Sequence, residues 1–219
     1  MKAGFTLDVF KSRALWKKWT LWIVANAVGF GLGLPILAFS VIMILMFNDA
    51  PPRNLLDWHQ GAMLFGGISG IIGGFFIGFM QGIMLMSVSP HESIRPLLWI
   101  ILTTIVFGIV GVCLSIYMVP GSGAEKVPIF LMLPVAGVIV GGAQQLIIPK
   151  SYGGTNRWIW LNILSMGISL GIVDVVLSGL SNPGYSISPL VAVISAGVGG
   201  IVYGTITGLG LFQIFKESS

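Results

Sequence analysis

Three polar side chains recur at a fixed spacing inside otherwise apolar segments of this sequence. Gln81, Gln144 and Thr207 each follow the pattern Gly-x3-Gly-x2, and successive copies are 63 residues apart. A buried amide without a hydrogen-bond partner costs roughly 4–8 kcal/mol in hydrocarbon, so such a side chain needs either a neighbour or a function. Two alternatives follow. The side chains bond across closely packed helices, or they form a polar layer that meets a solute, a pigment or a lipid headgroup.

Other polar residues in apolar segments are also candidates for chemistry. Asn26 and Asn162 each follow a tryptophan by four residues, whereas Trp99 is followed at this spacing by Thr103. Asp174 is the only ionisable residue inside a predicted span, and an intramembrane carboxylate is by default a functional hypothesis. A proton or cation role requires Asp174 to face the interior of the protein. The alternative is a solvated or capping carboxylate near the end of its helix.

Signatures of membrane enzymes are incomplete at the residues that their chemistry needs. The segment GISG offers Ser69 as a nucleophile, but the two histidines, His59 and His91, are expected in loops and not in a span. Asp174 lacks a second intramembrane aspartate for a catalytic dyad. The segment HESIR has Arg95 where a zinc motif has its second histidine. The sequence therefore favours a protein that is not an enzyme, with no metal site and no identifiable cofactor.

The elements that position these residues are predicted to be membrane helices. Hydrophobic residues make up 55% of the 219 residues and charged residues 8%, whereas a typical soluble chain has about 25% charged residues. A hydrocarbon core of about 30 Å requires about 20 apolar residues per helix. The sequence thus predicts an all-α, polytopic membrane protein with a single integral membrane domain. Six stretches are predicted to span: 22–47, 62–86, 97–117, 129–148, 158–177 and 190–215.

The glutamine motif repeats together with a second helix. Segments that start at Gly74, Gly137 and Gly200 align at intervals of 63 residues, and segments that start at Thr104 and Gly167 align at the same interval. Because two helices recur together, the repeating unit is a helical hairpin, and the copies are parallel and related by rotation about the membrane normal. We therefore expect a six-helix bundle with pseudo-threefold symmetry. The predicted units are 19–88, 96–150 and 157–215.

Glycines form narrow stripes on the helices that carry the glutamine motif. Without a hydrophobic drive between helices in lipid, close approach depends on small residues at the contact. The partner of each stripe is either a helix of the same chain or a helix of another protein. The glycines predicted to mediate helix packing are Gly70, Gly74, Gly78, Gly137, Gly141, Gly200 and Gly204.

The distribution of cationic residues predicts the orientation. Nine of the 11 Lys and Arg residues lie on the side of the amino terminus, and only Arg53 and Lys126 lie on the other. The positive-inside rule then places both termini in the cytoplasm of a bacterial cell, with the chain in the inner membrane. Residues 1–18 are predicted to form an amphipathic segment in the headgroup interface. The basic residues follow one membrane rim, so a nucleic-acid partner is not expected.

The whole chain resembles a group of uncharacterised bacterial multipass membrane proteins. These proteins repeat a tryptophan, then a small residue or asparagine, then Gly-x3-Gly-x2-Gln. The resemblance implies a multipass membrane protein and no particular activity, and Thr207 departs from the pattern. The residues that carry the likeness are Trp22, Asn26, Gly74, Gly78, Gln81, Gly137, Gly141 and Gln144.

Two functions from different classes remain. The first is a non-catalytic integral membrane subunit that packs through glycine-striped helices within a larger membrane protein complex. The second is a small-solute or ion transporter, or its substrate-binding membrane component, with Asp174 and the polar layer at its site. The two functions are distinguished by where the recurring polar side chains point, because a carrier needs these side chains at a water-accessible cavity.

Overall fold

The described part of the chain is entirely helical. A computed structural model describes residues 13–46, 55–88, 95–117, 129–148, 155–180 and 189–216. Each range contains one helix, and a short turn follows the fourth helix at residues 146–148. The six helices are α1 (Arg13–Met46), α2 (Leu55–Val88), α3 (Pro96–Tyr117), α4 (Ile129–Gln145), α5 (Thr155–Leu180) and α6 (Pro189–Lys216).

Four of these helices are long and apolar enough to cross a membrane. The candidate spans lie in α1, α2, α3 and α6, at Trp16–Ile36, Gln60–Ser87, Pro96–Ile116 and Leu190–Leu211. Helix α4 has 17 residues, which corresponds to about 25 Å at 1.5 Å per residue and lies at the short end of the range for a spanning helix. Helix α5 has 26 residues but carries several polar side chains. Helices α4 and α5 therefore do not reach the length and hydropathy that identify the other four helices as candidate spans.

Two helices begin well before the membrane spans that were predicted within them, at 22–47 and 62–86. Helix α2 starts at Leu55, so position 59, which was expected in a loop, is helical. Helix α1 starts at Arg13, so residues 13–18 of the predicted interfacial segment belong to the same helix as the predicted span that follows. Both starting segments are free of proline and glycine over their first six residues, and they contain leucine, alanine, lysine or glutamine, which favour helix. The side chain of His59 and all of His91 lie outside the described residues.

The helices pack mainly against their neighbours in the chain. Helix α2 contacts α1 and α3, helix α4 contacts α3 and α5, and helix α6 contacts α5. Helices α1 and α6 also pack against each other, so the first helix and the last helix close the arrangement into a ring. The beginnings of α1, α3 and α5 meet the ends of α2, α4 and α6 in one apolar cluster, which makes the odd helices antiparallel to the even ones.

Two apolar clusters fill the described interior at different depths. The first, which we call the tryptophan cluster, contains Trp22, Ala25, Met84, Leu85, Trp99, Ile147, Ile148, Trp158 and Leu211. The second apolar cluster contains Phe30, Ile77, Val106, Phe107, Val110, Ala136, Val140, Met166 and Tyr203.

The outward faces of the helices carry large apolar side chains. Leu64 is 61% exposed, Leu97 is 67% exposed and Trp160 is 69% exposed. A surface of this composition is expected where helices face lipid, because hydrocarbon does not penalise exposed apolar side chains. The described helices thus present apolar side chains outward and bury polar side chains in the interior of the bundle.

Candidate functional site

The buried polar side chains of the six helices include a connected set, which we call the polar layer. Every member is at most 1% exposed. Each helix supplies at least one member, so the layer crosses the whole bundle. The polar layer consists of Asn26, Gln81, Thr103, Gln144, Asn162, Tyr203 and Thr207.

Gln81 is the most connected member of the polar layer. Its Nε2 donates a hydrogen bond to Asn26 Oδ1 at 2.7 Å, and its Oε1 accepts one from Trp99 Nε1 at 2.9 Å. Its Oε1 also accepts a longer bond of 3.3 Å from Gln144 Nε2. Gln81 therefore ties α2 to α1, α3 and α4 through one carboxamide. Such a group bonds across helices and does not point into an open space.

Gln144 connects α4 to the same set of residues. Its Nε2 donates to Gln81 Oε1 and to Thr103 Oγ1, each at 3.3 Å. Thr103 belongs to α3, where it takes the place that an asparagine has in α1 and α5. The two predicted glutamines are thus in direct contact, although 63 residues separate them in the sequence.

The remaining members join α5 and α6 to the bundle. Thr207 Oγ1 donates to the Tyr203 carbonyl oxygen at 2.7 Å and accepts from Trp22 Nε1 at 3.1 Å. The Tyr203 hydroxyl donates a hydrogen bond to Asn162 Oδ1. Thr207 therefore occupies a position like that of Gln81, because each accepts a bond from a tryptophan of the next helix around the ring.

The two asparagines are oriented by their own helices. Asn26 Nδ2 donates to the Trp22 carbonyl oxygen at 2.8 Å, and Asn162 Nδ2 donates to the Trp158 carbonyl oxygen at 2.9 Å. These partners are four residues earlier, one turn below on the same helix face. The amide nitrogen is thereby satisfied locally, and the oxygen stays available to the neighbouring helix. The recurring Trp-x3-Asn spacing therefore places the asparagine nitrogen within hydrogen-bond distance of the tryptophan carbonyl oxygen one turn earlier.

Glycines bring the helices close enough for these bonds. A Cβ added at Gly78 would lie 3.0 Å from Thr103 Cβ, and one at Gly204 would lie 3.0 Å from Asn26 Cβ. One at Gly141 would lie 2.8 Å from Asn162 Cβ. The close contact therefore recurs at three helix pairs: α2 with α3, α4 with α5, and α6 with α1.

All seven glycines predicted to mediate packing lie against a helix of the same chain. Each would place an added Cβ at or below 3.0 Å from a neighbouring helix, a distance that requires the neighbour to shift. Gly70, Gly74 and Gly78 face α3; Gly137 and Gly141 face α5; and Gly200 and Gly204 face α1.

The contacts also give the register between the odd helices. Gly78 and Gly141 occupy the same position in their motifs, and they face Thr103 and Asn162 respectively. In the structure Thr103 of α3 therefore corresponds to Asn162 of α5. The alignment predicted from the sequence matched Thr104 with Gly167, and the two alignments differ by four residues. A shift of four residues is about one helical turn, which leaves the face of the helix almost unchanged. Periodicity alone does not separate the two registers.

Apolar side chains cover the polar layer at both ends. One turn toward the tryptophan cluster lie Leu85 and Leu211, and one turn the other way lie Ile77 and Val140. The indole of Trp99 is central to the tryptophan cluster, with ring centroids 6.4 Å from Trp22 and 5.9 Å from Trp158. Both clusters consist of buried side chains, so the described part of the layer is enclosed by hydrocarbon.

Two atoms of this region lack a hydrogen-bond partner among the described residues. They are Gln144 Oε1 and Trp158 Nε1, and both are buried. A buried polar group of this kind is unusual in a folded protein and calls for a physical explanation.

The chemistry of the described polar layer is neutral. It consists of amides and hydroxyls that bond to indole N–H groups, and the described side chains around it include no charged group. The described residues also contain no group of three His, Cys, Asp or Glu that could hold a metal ion. Position 174 lies on α5 about 18 Å along the helix axis from Asn162. The backbone therefore separates Asp174 from the polar layer, and its side chain lies outside the described residues.

Thr103, Trp99, Trp22 and Tyr203 take part in the side-chain hydrogen bonds of this region, but they were not singled out from the sequence as candidate site residues. Thr103 looked like a departure from the tryptophan-to-asparagine spacing, yet it bonds to Gln144 in the structure. Trp99 shared that departure, although it donates to Gln81. Tyr203 gave no signal, because a single tyrosine in an apolar helix has no periodic counterpart. The tryptophan spacing was the signal that could have identified the first two.

Comparison of the whole chain with protein families, with curated proteins and with solved structures finds no match.

Proposed function

We propose that this protein is a non-catalytic integral membrane subunit that forms part of a larger membrane protein complex. The observation that carries the proposal is the enclosure of the polar layer. Its side chains are at most 1% exposed, bond to one another, to tryptophan indoles and to backbone carbonyl oxygens, and lie between two apolar clusters. Buried, mutually bonded amides hold helices in one arrangement and are poorly placed to act on a substrate.

The proposal includes six membrane spans arranged as three parallel hairpins, with both termini in the cytoplasm. The support is the recurrence of one contact at three helix pairs, in which a glycine of an even helix meets Thr103, Asn162 or Asn26 of an odd helix. The described cationic side chains of Lys17, Lys18, Arg95 and Arg157 all lie at or just before the beginnings of odd helices, as the positive-inside rule expects for a cytoplasmic rim.

The glycine stripes build the body of this subunit and leave other faces for its partners. All seven predicted packing glycines face helices of the same chain. A partner in the membrane therefore meets the outer, largely apolar faces of the bundle. Contacts between such faces depend on van der Waals packing and on interhelical hydrogen bonds.

A second candidate function is a carrier of small neutral solutes. The observation that favours it is the presence of an unpartnered acceptor, Gln144 Oε1, and an unpartnered donor, Trp158 Nε1, inside the bundle. Ion transport receives less support, because the polar layer contains neutral side chains and position 174 is distant from it along α5.

The subunit proposal is tested by extracting the protein from its native membrane in a mild detergent and weighing it by native mass spectrometry. We expect a particle that contains the 23.3 kDa chain together with a second membrane protein in fixed stoichiometry. A matched sample of the chain expressed alone in another host provides the reference mass. Recovery of the 23.3 kDa chain alone from the native membrane would contradict the proposal.

The carrier alternative is tested with the purified chain in liposomes. Glycerol influx is followed by light scattering after an osmotic step, with protein-free liposomes as the control. Under the subunit proposal, glycerol enters both samples at the same rate. Faster entry into the proteoliposomes would favour the carrier.

A further inference from the structure

Tryptophan side chains donate across the same kind of helix contact at two places in the bundle. Trp99 Nε1 donates to Gln81 Oε1 at 2.9 Å, where α2 packs on α3. Trp22 Nε1 donates to Thr207 Oγ1 at 3.1 Å, where α6 packs on α1. In each case the acceptor lies three residues after a glycine that meets the odd helix. The donor lies four residues before the residue that this glycine meets.

The third helix pair has the same backbone contact and the same spacing. Gly141 of α4 meets Asn162 of α5, which places Gln144 and Trp158 as the corresponding acceptor and donor. Both side chains are buried, at 1% and 0% exposure. Yet Gln144 Oε1 and Trp158 Nε1 have no partner within the described part of the chain.

The orientation of the Gln144 amide explains why its oxygen is left over. An indole N–H only donates, so the bond from Trp99 identifies the oxygen of the Gln81 carboxamide. Gln144 must then present its nitrogen to that oxygen, as it does at 3.3 Å, and the same nitrogen reaches Thr103 Oγ1. Reversing the Gln144 amide would place two carbonyl oxygens together. Its oxygen is therefore directed away from Gln81 and Thr103.

We propose that a hydroxyl group, carried by a water molecule or by a small alcohol, binds between Gln144 Oε1 and Trp158 Nε1. The hydroxyl oxygen accepts the indole N–H, and the hydroxyl hydrogen is donated to the amide oxygen. This arrangement satisfies both buried atoms, which otherwise stay desolvated without a partner. The inference depends on the helix geometry and stands apart from the proposed function.

The two sources of the hydroxyl share one chemistry but differ in what else they need. A buried water makes about three hydrogen bonds, with two as the minimum, whereas an alcohol is satisfied by one donor and one acceptor. The aliphatic part of an alcohol would lie against the surrounding side chains of the tryptophan cluster, such as Leu211 and Ile148. A charged ligand is not expected, because the adjoining polar layer holds only neutral groups.

The test is NMR of the full chain in lipid nanodiscs with ¹⁵N-labelled indoles. The Trp158 resonance is assigned with Trp158→Phe, which removes it. If that variant fails to fold, Gln144→Leu is used, because this change shifts the Trp158 signal. We expect a nuclear Overhauser cross-peak from the Trp158 indole proton to a hydroxyl-bearing molecule. Trp99, which donates directly to Gln81, serves as the matched control and is expected to give none.

The sample contains water and added glycerol, so that the two sources are distinguished. A cross-peak to water with the sign of a bound molecule supports the proposal and identifies water. A cross-peak to the glycerol C–H protons supports it and identifies a small alcohol. The absence of both from folded protein overturns the proposal, since the indole would then be unpartnered or bound to protein. Equal cross-peaks at Trp99 would also overturn it, because they would indicate general solvent entry.

Discussion

At the scale of single residues, the packing of the bundle depends on how neutral polar groups find hydrogen-bond partners inside hydrocarbon. Asn26 illustrates the principle, because its nitrogen bonds one turn back on α1 and its oxygen accepts from Gln81 on α2. Individual hydrogen bonds between membrane helices contribute modestly, about 0.6 kcal/mol on average. Loss of one member of a buried set costs more, since the remaining groups stay desolvated without partners.

Replacing Gln81 with leucine is predicted to destabilise the folded protein by about 1–3 kcal/mol, because the Trp99 indole and the Asn26 oxygen lose their partner. The measurement is the free energy of unfolding in mixed micelles. The matched control is Gln145→Leu, since Gln145 Oε1 has no bond to any described residue. We expect that control to leave the free energy of unfolding unchanged or to raise it, because the change removes a buried oxygen that has no partner among the described residues. Equal effects of the two changes would disprove a special role for Gln81.

At the scale of helices, close packing at glycine determines which elements are neighbours. The even helices present a glycine-lined face to the next odd helix, and the polar bonds form beside that contact. Glycine costs about 1 kcal/mol relative to alanine in the interior of a water-soluble helix, so its repeated use indicates a packing requirement. Adjacent glycines in α4 allow this requirement to be tested one residue at a time.

Alanine at Gly141 is predicted to destabilise the protein by about 1–3 kcal/mol, because its Cβ would lie 2.8 Å from Asn162 Cβ. Alanine at Gly142 is predicted to be neutral or to add up to about 1 kcal/mol, since an added Cβ there meets nothing within 4 Å. Thermal unfolding of both variants in the same detergent gives the comparison. The packing account fails if Gly142→Ala is the more damaging change.

Most residues of the polar layer were identified from the sequence, whereas the matching of α3 with α5 was not. Gln81, Gln144 and Thr207 share a motif because each lies beside the same kind of helix contact, and this repetition is visible in the sequence. Thr103 was missed because threonine supplies an acceptor without resembling asparagine. The glycine contacts match α3 with α5 four residues from the alignment predicted from the sequence, and a shift of about one turn leaves the face of the helix almost unchanged.

At the scale of the whole molecule, the described helices form one closed ring with a polar layer between two apolar clusters. Four helices meet the length and composition needed to cross a membrane. Our proposal adds α4 and α5 as spans, and this addition changes the topology. Composition alone is a weaker guide for α5, because the polar side chains that it buries inside the bundle lower its apparent apolarity.

The number of spans is testable at Asn156, an exposed residue at the beginning of α5. With six spans, a cysteine at Asn156 is on the same side as one at Arg95, and a membrane-impermeant maleimide labels both in inverted vesicles. With four spans, the cysteine at Asn156 is on the opposite side and is labelled in intact spheroplasts instead. The exposed native Cys113 is first replaced by serine, which prevents background labelling.

We propose that the polar layer bonds the helices together inside the bundle and does not line a solute path. Thr207→Cys in the Cys113→Ser background tests it, since a thiol reacts as the thiolate and is protected in an apolar enclosure. The measurement is its rate of reaction with a small, membrane-permeant thiol reagent in native membranes. Asn156→Cys is the exposed control.

We expect Thr207→Cys to react at least about 100-fold more slowly than Asn156→Cys in the folded protein, because burial disfavours the thiolate. We also expect the two rates to become similar after unfolding in detergent. Reaction of Thr207→Cys at the rate of the exposed control, with the fold intact, would show instead that the polar layer lines a water-accessible cavity.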